Sequence, residues 1–215
     1  MNLEKAAQLI QERIPGTRKG TLEPAYQHSI RVSNTLERLG FNSDVILAGM
    51  LHDIVEDGNT SLSELEAMGC NANVLHLVDL SSHKMDTPID SNLEKDRRWA
   101  QMVVRLEEAN NPEAWAVKLA DLLDNLRGSH SLKPERQAVF LEIKAPTYLR
   151  LTNPFLGAHP LWREVLLEWA SFGEAKYRNL LESNSAVYEK NGLLVSSSKQ
   201  QVTRTMVLET LKTDE

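Results

Sequence analysis

A single cysteine, Cys70, leaves the 215-residue chain without any internal disulfide. That suits a reducing compartment, and a cytoplasmic location is expected. No apolar run is long enough to span a bilayer. The opening residues, Met1-Asn2-Leu3-Glu4-Lys5, lack a secretory pattern. Positive charge is also scarce: 24 Lys and Arg stand against 30 Asp and Glu, for a net charge of −6. This argues against a broad basic face for polymeric nucleic acid, although a few local cations would suffice for one small anion. Internal repeats and low-complexity tracts are absent. What remains is a composition of 41% hydrophobic and 25% charged residues, that of a soluble globular chain long enough for a sizeable core.

The densest chemistry follows the most apolar run, Val45 to Met50. There the sequence reads Leu51-His52-Asp53-Ile54-Val55-Glu56-Asp57. If this stretch is helical, His52 and Glu56, Asp53 and Asp57, and Asp53 and Glu56 are i,i+4 or i,i+3 neighbours on one patch. Two like charges 4 Å apart repel by roughly 4 kcal/mol at an effective dielectric near 20. A bound cation would reverse that sign, and His52-Asp53 supplies two ligands for it. The plainer alternative is a helix end with solvated acids, which leaves the histidine and the apolar run unexplained. A metal site is the preferred reading.

Helical periods run through most of the chain: Leu3 to Ile14, Pro24 to Leu39, a central helix from Asn42 to about Glu56, and a short one opened by a Ser61/Glu64 capping box. Others span Asn73 to Leu80, Leu93 to the Asn110-Asn111-Pro112 stop, Glu113 to Arg127, Pro134 to Ala145 and Leu161 to Leu181. His28 shares an inward stripe with Val32, Leu36 and Leu39, where a histidine is more often a core residue than a ligand. His76 reads as a packing residue, and Arg97 and Arg98 as a solvated face. Lys118, Asp121 and Asn125 form a polar stripe inside an otherwise apolar helix. Arg18-Lys19-Gly20 lies on a polar loop fit to cradle a phosphate or stack on a base. Beyond Ser183, Asn191-Gly192 between two apolar runs signals a β-hairpin. The expected organisation is a domain over 1–183 and a small C-terminal extension over 184–215.

His28, then His52-Asp53, then Asp121, each on its own helix, resembles the HD superfamily of metal-dependent phosphohydrolases. Within it, Leu51 to Asp57, Lys118 to Arg127, Arg18-Lys19-Gly20 and Tyr26-Gln27-His28 resemble the hydrolase domain of the RelA/SpoT type, in the same order, from about Leu3 to Arg150. With no synthetase domain following, the chain is similar to the small alarmone hydrolases. The resemblance implies an all-α HD-domain helical bundle and one divalent cation, commonly manganese, with iron and zinc as alternatives. It implies His28, His52, Asp53 and Asp121 as ligands, with Glu56 and Asp57 handling the attacking water. Arg18, Lys19 and Asn125 would contact the nucleotide, and Lys118 the phosphate end. The implied reaction removes pyrophosphate from the 3′ position of guanosine tetra- or pentaphosphate.

Departures from the pattern are Ser29 after the first histidine, Gly58 after Glu56-Asp57, and Asp124, which stands where an aromatic, His or small residue is usual. Other nucleotides, such as a 5′-monophosphate or a phosphorylated dinucleotide, are alternative substrates. A non-catalytic nucleotide-sensing module is a further alternative, opposed by the intact Glu56-Asp57 pair. No reading of the residues fixes the oligomeric state.

Overall fold

The computed structural model describes residues 1–83 and 92–172. Ten α-helices run through it: α1 (Leu3–Arg13), α2 (Gln27–Arg38), α3 (Ser43–Leu51), α4 (Leu62–Ala67), α5 (Ala72–Ser81), α6 (Asn92–Ala109), α7 (Pro112–Gly128), α8 (Pro134–Ala138), α9 (Ala145–Leu156) and α10 (Pro160–Ser171). Among the described residues there is no sheet, only one isolated bridge between Thr17 and Pro24. The fold is all-α.

Local chemistry sets the helix starts. The Asn42 side chain accepts from the Asp44 and Val45 N–H groups to cap α3, Asn111 does the same for α7, and Ser61 and Glu64 close the expected capping box on α4. Packing does the rest. Helix α3 is buried at every position from Val45 to Leu51, and α7 from Ala114 to Asp124, so these two form the centre. Helices α1, α2, α5 and α7 pack on α3, while α9 and α10 cover the other side of α7. Gly49 lets α2 approach: a Cβ there would lie 2.4 Å from Leu36 Cδ1. That closeness brings the His28 and His52 rings within 5.1 Å.

Several expectations shift. Helix α2 begins at Gln27 rather than Pro24. Helix α3 ends at Leu51, and residues 52–57 continue as tight turns, tied by the Asp57 N–H to Asp53 O bond at 2.8 Å. From α8 the chain passes through a π-helical segment, Val139–Lys144, into α9, a helix the sequence reading left out because Pro146 and Pro154 interrupt its pattern. Pro146 lies in the first turn of α9, directly after the π-helical segment, and Pro154 lies in its last turn. His76 is exposed rather than packed. Arg98 is buried at 2% exposure, not on a solvated face. The hairpin around Asn191-Gly192 and the boundary at 183 lie outside the described residues.

Candidate metal centre and nucleotide cleft

Two helices and one turn converge behind a cleft of about 800 Å³. His28 comes from α2, His52 and Asp53 from the turn after α3, and Asp121 from the middle of α7. His28 Nε2 lies 3.1 Å from Asp121 Oδ1 and 3.6 Å from Asp53 Oδ2. His52 Nε2 lies 3.1 Å from Asp53 Oδ1 and 3.7 Å from Asp121 Oδ1.

The tautomers decide what these distances mean. His52 Nδ1–H donates to the Gly49 carbonyl at 2.8 Å, so its Nε2 carries a lone pair. That Nε2 is fully buried and has no hydrogen-bond partner. His28 Nδ1–H donates to Asp124 Oδ2 at 2.7 Å, turning a second lone pair toward Asp121. Two imidazole lone pairs and two carboxylates facing one another repel unless positive charge lies between them. Without a metal, protons take that role: burial opposes charging His52, but Asp53 and then Asp121 outweigh it and hold its pKa at about 10. Donor atoms about 2.1 Å from one ion, at right angles, are about 3.0 Å apart. The residues therefore fit a divalent ion, with His28, His52 and Asp53 the tightest group.

The acids expected to handle water line the cleft. Burial first, then Asp53 and Glu56, push the Asp57 pKa up to about 6. Glu56 is held by a residue the sequence reading missed. The His83 main-chain N–H donates to Glu56 Oε1 at 2.7 Å, and His83 Nδ1 lies 2.8 Å from Oε2. Ser82 fixes that segment by donating its hydroxyl to the His52 carbonyl at 3.0 Å.

The expected substrate contacts also reach the cleft. Lys118 is buried and pairs with Asp121 Oδ2 at 2.6 Å, so the polar stripe of α7 holds an interior ion pair. Asn125 donates to Asp121 Oδ1 and accepts from Arg18 Nη2 at 3.0 Å. Burial, with Lys95 and Arg136 nearby, lowers the Lys19 ammonium below its usual value. Lys144 sits over the Trp99 and Phe140 rings, 5.6 and 5.0 Å from their centroids, and burial pushes it down to about 8. Crowded cations of this kind relax when an anion enters. Asp124, which departs from the family pattern, is fully engaged: besides His28 it accepts from Arg31 Nε at 2.6 Å and from Arg18.

A family model describing an HD domain matches residues 6–154. The chain belongs to the HD-domain family. The chain is 31% identical over 180 residues to a probable guanosine-3′,5′-bis(diphosphate) 3′-pyrophosphohydrolase of Synechocystis, covering 81% of this chain and 22% of that protein. It is 30% identical over 184 residues to a probable GTP pyrophosphokinase of Mycobacterium leprae, covering 83% and 22%. The chain thus spans about a fifth of the length of these relatives. A solved structure described as a metazoan ortholog of SpoT that hydrolyzes ppGpp superposes with a TM-score of 0.54 at 20% identity, covering 89% of this chain and 96% of that one. That likeness fixes the HD fold. Membership of the family implies a divalent metal, and the His28–His52–Asp53 group is where this chain can hold one.

Proposed function

We propose that the protein is a metal-dependent 3′-pyrophosphohydrolase of guanosine alarmones, with manganese as the preferred ion. The observation that carries the metal-dependent part is the orphaned Nε2 of His52 facing Asp53, Asp121 and the second histidine. His28, His52, Asp53 and Asp121 hold the ion. When bound, it polarises a phosphoryl oxygen and lowers the pKa of water. The names of the Synechocystis and metazoan relatives support the substrate.

The chain's own groups then divide the work. Asp57, poised near 6, and Glu56, fixed by His83, accept a proton from the attacking water. Oxygen from that water joins the 3′ phosphorus, the bond from phosphorus to the 3′ oxygen breaks, and the 3′ oxygen takes a proton as pyrophosphate leaves. Lys118 steadies charge at the phosphate end. Arg18, Lys19 and Asn125 hold the distant nucleoside, because in-line attack needs the whole ligand fixed. The working compartment is the cytoplasm, and the ligand is a small nucleotide.

Product identification tests the reading. Purified, metal-loaded protein given guanosine 5′-diphosphate 3′-diphosphate should release GDP and pyrophosphate and leave the 5′ diphosphate intact. GMP or free phosphate as product, or far faster turnover of a nucleoside 5′-monophosphate, would refute the alarmone assignment.

A further inference from the structure

We propose that Asp124 is a positioning residue that serves the cation site and the nucleotide grip together, holding His28 for the one and Arg18 for the other. Its Arg18 half rests on the nucleotide reading above; its His28 half does not. Asp124 is only 8% exposed in its side chain, and it uses both oxygens. Oδ2 accepts from His28 Nδ1 at 2.7 Å, from Arg31 Nη2 at 3.1 Å and from Arg18 Nη1; Oδ1 accepts from Arg31 Nε at 2.6 Å. One carboxylate thus collects an imidazole and two guanidinium groups.

Each contact has a distinct consequence. A carboxylate behind a ligating histidine keeps the proton on the far nitrogen, aims the near lone pair forward and makes it more basic; loss of such a partner weakens metal binding by about 10–100-fold. For Arg18, the edge of the guanidinium is committed to Asp124 and to Asn125 Oδ1. Stacking on a base uses the faces of that plane, so fixing the edge orders the grip before the nucleotide arrives. Arg31 closes the circuit: it also donates to both Glu23 oxygens, and the Glu23 carbonyl accepts the Arg18 N–H at 2.9 Å. The loop from Thr17 to Pro24 is therefore anchored to the same carboxylate that orients His28. Asn125 runs in parallel, joining Arg18 to Asp121.

The test uses Asp124→Asn, Arg18→Ala and the double variant, each as the full chain, with Mn²⁺ and GDP as calorimetric probes. Asp124→Asn should bind Mn²⁺ about 10–100-fold more weakly, while Arg18→Ala should bind it within about twofold of wild type. At saturating Mn²⁺, each single variant should lose affinity for GDP, and the double variant should lose no more than Arg18→Ala alone, because both changes break one grip. An Mn²⁺ affinity within twofold of wild type in Asp124→Asn, or additive losses of GDP affinity, would overturn the proposal. If Asp124→Asn does not fold, ¹⁵N shifts of the wild-type histidine rings with diamagnetic Zn²⁺ decide the His28 half. The proton must reside on His28 Nδ1; a proton on Nε2 overturns it. Wild-type protein that fails to bind GDP would remove the nucleotide reading and the Arg18 half together, leaving the Mn²⁺ and ring results to judge the rest.

Discussion

Asp121→Ala separates two roles that one carboxylate performs. It faces the cation site, and it also neutralises Lys118, whose ammonium lies 2.6 Å away with its side chain 6% exposed. Burial opposes the charge on Lys118, and the nearby Asp121 carboxylate overcomes that opposition. Removing one partner of a buried pair strands the other, at about 3–5 kcal/mol. For a domain of this size each kcal/mol is worth roughly 2–4 °C, so the metal-free variant should melt roughly 6–20 °C below metal-free wild type. The metal adds a separate difference. An ion held at about one hundred times its Kd stabilises the folded state by about 2.7 kcal/mol, so chelation should lower the wild-type Tm by roughly 5–11 °C and leave Asp121→Ala unmoved. Adding Lys118→Met to Asp121→Ala should recover half or more of the metal-free loss, since no orphaned ammonium remains. Scanning calorimetry of the three proteins, with and without chelator, measures both differences. A metal-free Asp121→Ala within about 1 kcal/mol of wild type, or further destabilisation on adding Lys118→Met, would refute the stranded-charge argument; a chelator-sensitive Asp121→Ala would refute the ligand assignment.

Glu56→Gln keeps size and hydrogen bonding but removes a proton acceptor, so metal content by elemental analysis should hold while kcat falls about 10²–10⁴-fold. His83→Ala should also lower kcat with metal retained, and His83→Asn, which keeps a donor near the Nδ1 position, should restore part of it. Arg18→Ala should raise KM more than it lowers kcat, because its contact exists in ground and transition states alike; steady-state kinetics with kcat as the dominant loss would contradict this. Asp57 predicts a pH dependence. Its folded pKa near 6 lies above its unfolded value near 4, so the folded state binds the extra proton between those values. The Asp57 contribution to metal-free stability must then fall as pH rises from about 4 to 6 and stay low above it. Asp57→Asn should be more stable than wild type at pH 7, with the gap closing toward pH 4 in chemical denaturation; a gap that widens in acid would reverse the assignment.

What the sequence disclosed was whatever depends on near neighbours. The period of α2 placed His28 inward, the apolar run before His52 marked a central helix, and the Ser61/Glu64 box opened α4 where it was expected. The motif blocks carried the family and the four candidate ligands, which the fold brings together. Contacts across the fold left no such trace. His28 and Asp124 are 96 positions apart, and Arg18 and Asn125 are 107 apart, so no spacing rule could pair them. Asp124 drew notice only as a departure from the family pattern, because its identity was visible and its partners were not. His83 follows the end of α5 outside any periodic pattern, and its bond to Glu56 exists only because Ser82 ties that segment to His52. Helix α9 was hidden by Pro146 and Pro154, since local chain rules weigh proline as a breaker and cannot see the burial of Tyr148 and Leu149 between them.

Charge in the cleft is mixed, and the mixture gives the ion a part in admitting the substrate. Asp53, Glu56 and Asp57 line it together with Lys19, Arg136 and Lys144, and the acids acting on Lys19 and Lys144 include Asp57 and Asp121. The strongest interior cation, Lys118, is already matched by Asp121, and Arg18 and Arg31 are matched by Asp124 and Glu23. In the metal-free protein the protons held by His52 and His28 offset Asp53, while Glu56 and Asp57 still face an arriving polyphosphate. At 4 Å and an effective dielectric near 20, each like-charged contact there costs roughly 4 kcal/mol, more than one surface lysine returns. A divalent ion among His28, His52 and Asp53 would replace those protons with a larger positive charge beside Glu56 and Asp57, while Lys19, Arg136 and Lys144 favour the ligand's phosphates. On the proposed function, the residues that would hold the ion would therefore also admit the substrate, with the metal binding first.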